Sequence, residues 1–147
     1  MEQTRKFLKL SSIAVLVLSG FFMLQVICEI LFGELSNAII PEDVSYNILL
    51  ITQIVIFTFA LLFMLPNIYI GIKGLRIAKK PDSSKGHIIW GIILLVFTVL
   101  SLISPIVDII NNGFKYDYIS EFLSIAVEAS VFFEYIKYAI AVRKTVA

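Results

Sequence analysis

The chain has 147 residues, of which 59% are hydrophobic and 16% are charged, and its formal net charge at pH 7 is +1. Soluble domains carry about 25% charged residues, so the composition argues against one, and the near-neutral charge gives no reason to expect nucleic acid as a partner. The chain has one cysteine, Cys28, which excludes an intramolecular disulfide and a cluster of thiolate metal ligands.

The hydrophobic residues collect in four runs, and each is long enough to cross a bilayer, which takes about 20 residues. Because backbone polar groups cannot stay unpaired in lipid, runs of this length must be helical. The sequence therefore predicts an all-α, integral membrane four-helix bundle that forms a single domain over residues 1–147. The predicted spans are 7–32, 48–72, 88–110 and 118–142. We expect the first span to remain uncleaved, because its apolar run is too long for a signal peptide.

The first two spans carry faces suited to helix packing. Ser12 and Ser19 share one face of the first span, where small residues allow close approach. The second span has a stripe of small and polar residues at alternating steps of three and four: Gln53, Phe57, Ala60, Met64, Asn67, Gly71, Gly74 and Ala78. We expect this stripe to face other helices. Pro66 in the second span and Pro105 in the third predict kinks.

Basic residues are concentrated on one predicted side of the membrane. They precede the first span, follow the fourth, and form a cluster in the hairpin 73–87, made of Lys73, Arg76, Lys79, Lys80 and Lys85. By the positive-inside rule, both termini and the hairpin are expected in the cytoplasm, with the helices antiparallel in up-down-up-down order. The protein is thus expected in the cell membrane, where the cluster contacts the anionic lipid of the inner leaflet or a partner protein.

The fourth span carries an acidic residue, Glu128, near the middle of its length. A carboxyl group inside the membrane is costly and by default marks a pathway, a proton relay or a polar cluster. We expect its neighbours in a polar site to be Asn67, Gln53 and Thr58 of the second span. Two interpretations stay open. Glu128 is either a proton or cation site, or a protonated side chain that hydrogen-bonds to these residues or to a serine without a transport role.

The segment 71–103 combines a Gly-x-x-Gly helix end and a Lys/Pro-containing hairpin with a Gly-Ile-Ile-Leu-Leu-Val span. In these features it resembles uncharacterised small four-helix (tetraspan) membrane proteins of Gram-positive bacteria. The resemblance implies the four-helix architecture and a bacterial source, and it implies no activity. The topology is also similar to that of tetraspanins and claudins, but the chain lacks their cysteine pairs and large outer loop, so this likeness is an analogy.

The sequence contains no motif typical of catalysis. Its single histidine, His87, is expected at the membrane interface beside Trp90, and no second histidine is available for a metal site. We therefore expect no enzyme activity, no metal and no cofactor. The first hypothesis is a non-enzymatic scaffold, accessory subunit or immunity-like protein that acts through helix–helix contacts, as a homo-oligomer or in a larger membrane complex. The alternative is a small oligomeric transporter or channel subunit that uses Glu128 as its proton or cation site.

Overall fold

The computed structural model describes residues 2–31 and 46–146, and within those residues the chain is helical and contains no strand. The helices are α1 (Glu2–Leu31), α2 (Tyr46–Lys79), α3 (Gly86–Leu100), α4 (Ile103–Asn112) and α5 (Asp117–Arg143). The all-α prediction is confirmed for this part of the chain. Most of the predicted connection between the first and second spans lies outside the described residues.

Three segments of the described chain are long and apolar enough to cross a membrane: Glu2–Leu31, Leu50–Lys79 and Gly86–Asn112. At about 1.5 Å of rise per residue, each can exceed the roughly 30 Å thickness of the hydrocarbon core. Large hydrophobic side chains on these segments, such as Phe21 and Phe97, are more than half exposed. Such surfaces suit a lipid environment. The fourth predicted span coincides with α5, which is not among these three segments, so its crossing of the membrane stays a prediction.

The third predicted span is divided near Pro105. Helix α3 ends at Leu100 and α4 begins at Ile103, and the two residues between them have ψ angles of −17° and −20°. The ring of a proline clashes with the carbonyl group four residues earlier, which here belongs to Ser101. The helix is therefore interrupted where the sequence predicts a kink, and a change of direction there stays a prediction. Helix α2 continues through Pro66 without interruption, and a bend there stays a prediction.

The buried core lies at one end of the bundle, which we call the basic end. There the ring of Phe7 stacks on Tyr138 with 5.1 Å between ring centroids, and Nε of Arg143 donates to the backbone oxygen of Ser83 at 3.2 Å. The end of α5 thus meets both the start of α1 and the segment that joins α2 to α3. The core residues are Leu8, Val15, Ile70, Ile77, Ile88, Phe132, Tyr135, Ile136, Ala139 and Val142.

Small residues bring α1, α2 and α5 into close contact near the basic end. Ser12 is fully buried, and a Cβ atom on Gly74 would overlap its hydroxyl group and lie 2.6 Å from the Tyr135 ring. The Tyr135 hydroxyl donates to the backbone oxygen of Ile70 at 2.9 Å, which links α5 to α2. Every member of the predicted stripe from residue 53 to residue 78 is at least partly buried. The prediction that this face packs against other helices is confirmed.

Candidate functional site

Beyond the packed core, α1, α2, α3 and α5 separate around a cavity of about 610 Å³. Its wall starts next to the core at Val15 and Phe132, and it extends along α1 to Gln25 and along α5 to Ser120. Val15 and Gln25 are ten residues apart, which corresponds to roughly 15 Å along a helix. The cavity therefore occupies the half of the bundle that lies away from the basic end, and its volume is in the range of about 300–1,000 Å³ typical of small-molecule sites.

Two of the four predicted site residues, Glu128 and Asn67, line this cavity from different helices. Glu128 is partly buried, and its carboxyl group interacts with the side chain of Thr98 on α3, which is buried. Oδ1 of Asn67 is buried, and it has no hydrogen-bond partner within the described part of the chain. The cavity thus presents a carboxyl group from α5, and Asn67 of α2 borders the same space.

The other two predicted site residues lie elsewhere. Gln53 lines a second cavity of about 320 Å³ between α1 and α2. The Thr58 hydroxyl donates to the backbone oxygen of Ile54 in its own helix at 2.8 Å, in an exposed position. Thr98 is the residue that the sequence analysis missed. The signal for it is local: between Gly91 and Ser101, it is the only polar side chain in an apolar run.

Most hydroxyl groups in the cavity wall are already used. Three serines donate to backbone oxygens in the preceding turn at 2.7 to 2.8 Å: Ser19 to Val15, Ser101 to Thr98 and Ser120 to Asp117. At the far end of the cavity, Nε2 of Gln25 donates to Oε1 of Glu29 at 2.8 Å. The oxygens of these groups keep lone pairs that can accept a hydrogen bond, and Glu128 adds the carboxyl group of the wall.

The rest of the wall is apolar and aromatic. Five phenylalanines from four helices contribute to it: Phe21, Phe22, Phe63, Phe97 and Phe132. Among the described residues that line the cavity, Glu128 is the only one that can carry a charge. A cavity of this kind can hold an apolar molecule, and its single carboxyl group can hold a proton or a positive charge.

The predicted basic cluster divides into one paired residue and four exposed ones. Nζ of Lys73 pairs with Oδ2 of Asp82 at 2.7 Å, and Oδ1 of Asp82 accepts a hydrogen bond from the backbone nitrogen of Ser84 at 2.9 Å. The hydrogen bond from Lys73 holds the pKa of Asp82 below its ordinary value. The other members are exposed and free to contact lipid headgroups: Arg76, Lys79, Lys80 and Lys85.

His87 lies in the core and not on the exposed surface of the bundle. It is 1% exposed, and its ring meets that of Tyr135 edge-on, with 6.2 Å between centroids. Neither ring nitrogen has a hydrogen-bond partner among residues 2–31 and 46–146. These same residues contain no group of three or more His, Cys, Asp or Glu side chains that could hold a metal ion.

Comparisons of the chain with protein-family models, with curated proteins and with solved structures give no match. Over residues 2–31 and 46–146, the class that the fold defines is an all-helical protein with three segments long and apolar enough to cross a membrane. A more specific role has to be argued from the cavity and from the distribution of charge.

Proposed function

We propose that this chain is a non-enzymatic multi-pass protein of the cell membrane that acts by binding a ligand or a partner within the bilayer. In this proposal, α1, α2, the α3–α4 pair and α5 cross the membrane as an antiparallel bundle, with both termini in the cytoplasm. Exposed basic residues at the basic end support this orientation, because positively charged residues flanking spans stay preferentially in the cytoplasm. The contact between Arg143 and Ser83 supports it as well, because it joins the end of α5 to the hairpin.

The charges of α5 are compatible with a fourth membrane span. Glu134 and Lys137 form an ion pair along the helix with 3.1 Å between Oε1 and Nζ, and Lys137 is near the basic end, where its ammonium group can reach the headgroups. Glu128 lines the cavity between the helices. A carboxyl group in that position avoids direct contact with the lipid chains, which is where intramembrane charges are most costly.

The observation that carries the binding role is the combination of a cavity at one end of the bundle with a packed core at the other. Phe132 and Val15 lie where the cavity meets the core, and Tyr135, Ile70 and His87 fill the space toward the basic end. The packed core closes the cavity toward the basic end. This arrangement favours a site that binds a ligand over a path that conducts ions through a single copy of the chain. An accessory subunit, a scaffold or an immunity-like protein uses such a site to recognise its partner.

A second candidate is a transporter or channel subunit that works as an oligomer, and the cavity favours it because it reaches Glu128. Reconstituted vesicles separate the two candidates. Wild type and Glu128→Gln are compared for proton flux with an enclosed pH-sensitive dye, and for assembly by light scattering. For a binding protein, we expect both flux traces to match those of protein-free vesicles. Flux that depends on Glu128 would instead establish the transport role.

The orientation is tested by cysteine labelling in cells with a reagent that does not cross membranes. Cys28, which is exposed, is first replaced by serine. Ser83→Cys in the hairpin should then be labelled only after the cells are opened. Asn112→Cys at the end of α4 is the matched control and should be labelled in intact cells. The reverse pattern would contradict the proposed orientation.

A further inference from the structure

We propose that the cavity between α1, α2, α3 and α5 binds an amphipathic organic amine in its ammonium form, with the charge toward Glu128 and the apolar body against the phenylalanine wall. The inference rests on the proposed function, because it names the ligand class of the same site. It follows from the charge of the cavity, from its size and from its aromatic lining.

The charge of the cavity selects the sign of the ligand. Glu128 is the only ionisable side chain among the described residues of the wall, so an anionic ligand would meet a carboxyl group without a compensating cation. A buried carboxylate is stable when it is paired and hydrogen-bonded. Thr98 supplies one interaction from the protein. An ammonium group supplies the opposite charge that the wall lacks.

The polar groups also distinguish an organic ammonium from a metal ion and from a quaternary cation. Hard cations such as Ca²⁺ take about 6–8 oxygen ligands, whereas the described wall is mostly apolar and offers a single carboxyl group, that of Glu128. A carboxylate accepts hydrogen bonds through both of its oxygens. An N–H group of a protonated amine can donate to the Glu128 carboxylate, and a trimethylammonium group cannot.

The size and lining of the cavity indicate the body of the ligand. About 610 Å³ is far more than an inorganic ion occupies, and five phenylalanine rings border this space. Aromatic faces attract cations as well as apolar surface. A molecule with an aryl or alkyl body and one terminal amine therefore matches both parts of the wall. The same ammonium chemistry occurs in free amines and in the ethanolamine headgroup of lipids.

A matched series of probes tests the inference on the full chain in phosphatidylcholine nanodiscs, with empty nanodiscs as the baseline. The probes share one phenylbutyl body: 4-phenylbutylamine, its N,N,N-trimethyl derivative, 4-phenylbutanol and 4-phenylbutyrate. By isothermal titration, we expect the amine to bind at least tenfold more tightly than the alcohol and more tightly than the trimethyl derivative, with the anion weakest. Equal affinity for amine and alcohol, or a preference for the anion, would overturn the inference.

Substitutions test whether Glu128 causes the preference for the amine over the alcohol. Glu128→Gln should remove the tenfold preference while leaving the affinity for the alcohol unchanged, which shows that the cavity is intact. Glu121→Gln, on an exposed position of the same helix, is the control and should keep the preference. A preference that survives Glu128→Gln would contradict the assignment, and the comparison of probes on wild type stands even where a variant fails to fold.

The source of the ammonium group and the proposed function are tested separately. Adding phosphatidylethanolamine to the nanodiscs should weaken amine binding if the lipid headgroup is the natural occupant, and should leave it unchanged if a free amine is. Failure of the amine preference, with the cysteine labelling pattern as expected, would overturn only the ligand class. A reversed labelling pattern would contradict the membrane orientation given in the proposed function. It would not affect the conclusion drawn from the binding of the probes.

Discussion

Gly74 provides the most direct test of how the basic end is packed. A Cβ atom at this position would overlap the Ser12 hydroxyl, and it would lie 2.6 Å from Cε2 of Tyr135 and 3.2 Å from Cβ of Ser12. Neither neighbour can easily move. The Ser12 hydroxyl donates to the Leu8 oxygen at 2.7 Å, and the Tyr135 hydroxyl donates to the Ile70 oxygen. Gly74→Ala should therefore force α1 and α5 away from α2.

Gly20 on α1 is a matched control, because a Cβ atom there would have no neighbour within 4 Å. Both substitutions gain the helix propensity of alanine over glycine, about 1 kcal/mol. Only Gly74→Ala also introduces overpacking, which costs about 1–3 kcal/mol. The propensity gain cancels in the comparison. We thus expect the free energy of unfolding of Gly74→Ala to lie about 1–3 kcal/mol below that of Gly20→Ala.

Reversible unfolding with SDS in mixed micelles can measure this difference, with the fluorescence of the single tryptophan, Trp90, as the readout. Ser12→Gly removes two of the three close contacts. The double variant Ser12→Gly/Gly74→Ala should therefore recover more stability than the sum of the two single changes, since residues in contact are coupled by about 0.5–3 kcal/mol. If Gly74→Ala is as stable as Gly20→Ala, the close approach of the three helices is wrong.

The same unfolding assay tests three further contacts. His87→Leu should leave the stability equal or higher, because it removes two buried nitrogens without a partner in the described chain; a large loss would indicate an unseen partner. Tyr135→Phe removes the bond to the Ile70 oxygen and should cost about 1 kcal/mol or less, so a larger loss would contradict this single-bond role. The pKa of Asp82 is lowered in the folded state by Lys73, so the pair contributes stability above the ordinary pKa of aspartate and loses it as pH falls through the lowered value. Asp82→Asn should therefore be less stable than wild type near pH 7, by under about 1 kcal/mol for this partly exposed pair, and equal to it in strong acid. A gap that persists in acid would exclude the ion pair as its cause.

The features that the sequence predicts well are local and periodic. Long apolar runs must be helical in lipid, and the small-residue stripe of α2 needs only the helical repeat to show which face is packed. The break at Pro105 follows from a clash between residues four apart, Pro105 and Ser101. At Pro66 the same rule predicts a kink in a helix that stays continuous. The two prolines are packed differently by other helices, since Pro105 is fully buried and Pro66 only partly. The local sequence does not contain this information.

The polar site could be predicted only in part, because its residues come from separate helices. Glu128 and Asn67 stand out as polar groups in apolar runs, and both line the cavity. Helical geometry already separates the other two from Asn67. Thr58 is nine residues away, which at about 100° per residue puts it on the opposite face of α2, and Gln53 is fourteen residues away, or roughly 21 Å along the helix. Thr98 could not be assigned, because its proximity to Glu128 depends on the register between α3 and α5.

The sizes of the side chains explain both why the helices are close together at the basic end and why they are separated around the cavity. In lipid, helices gain little from burying apolar surface and associate closely where small residues let their backbones approach. The small residues Ser12, Gly74 and Gly91 are buried near the basic end, whereas large aromatic residues such as Phe22 and Phe63 border the cavity. The helices are thus held together at one end and kept apart at the other.

This arrangement links the packing of the basic end to the ligand site. We expect the packed end to fix the distances between the helices and thereby the shape of the cavity, because the closest contacts between helices lie at that end. Substitutions that loosen the packed end should therefore weaken ligand binding without contacting the ligand. Gly74→Ala should lower the affinity for the amine and for the alcohol by the same factor, whereas Glu128→Gln should lower only the affinity for the amine. The two patterns separate a change in the shape of the cavity from the loss of its charge.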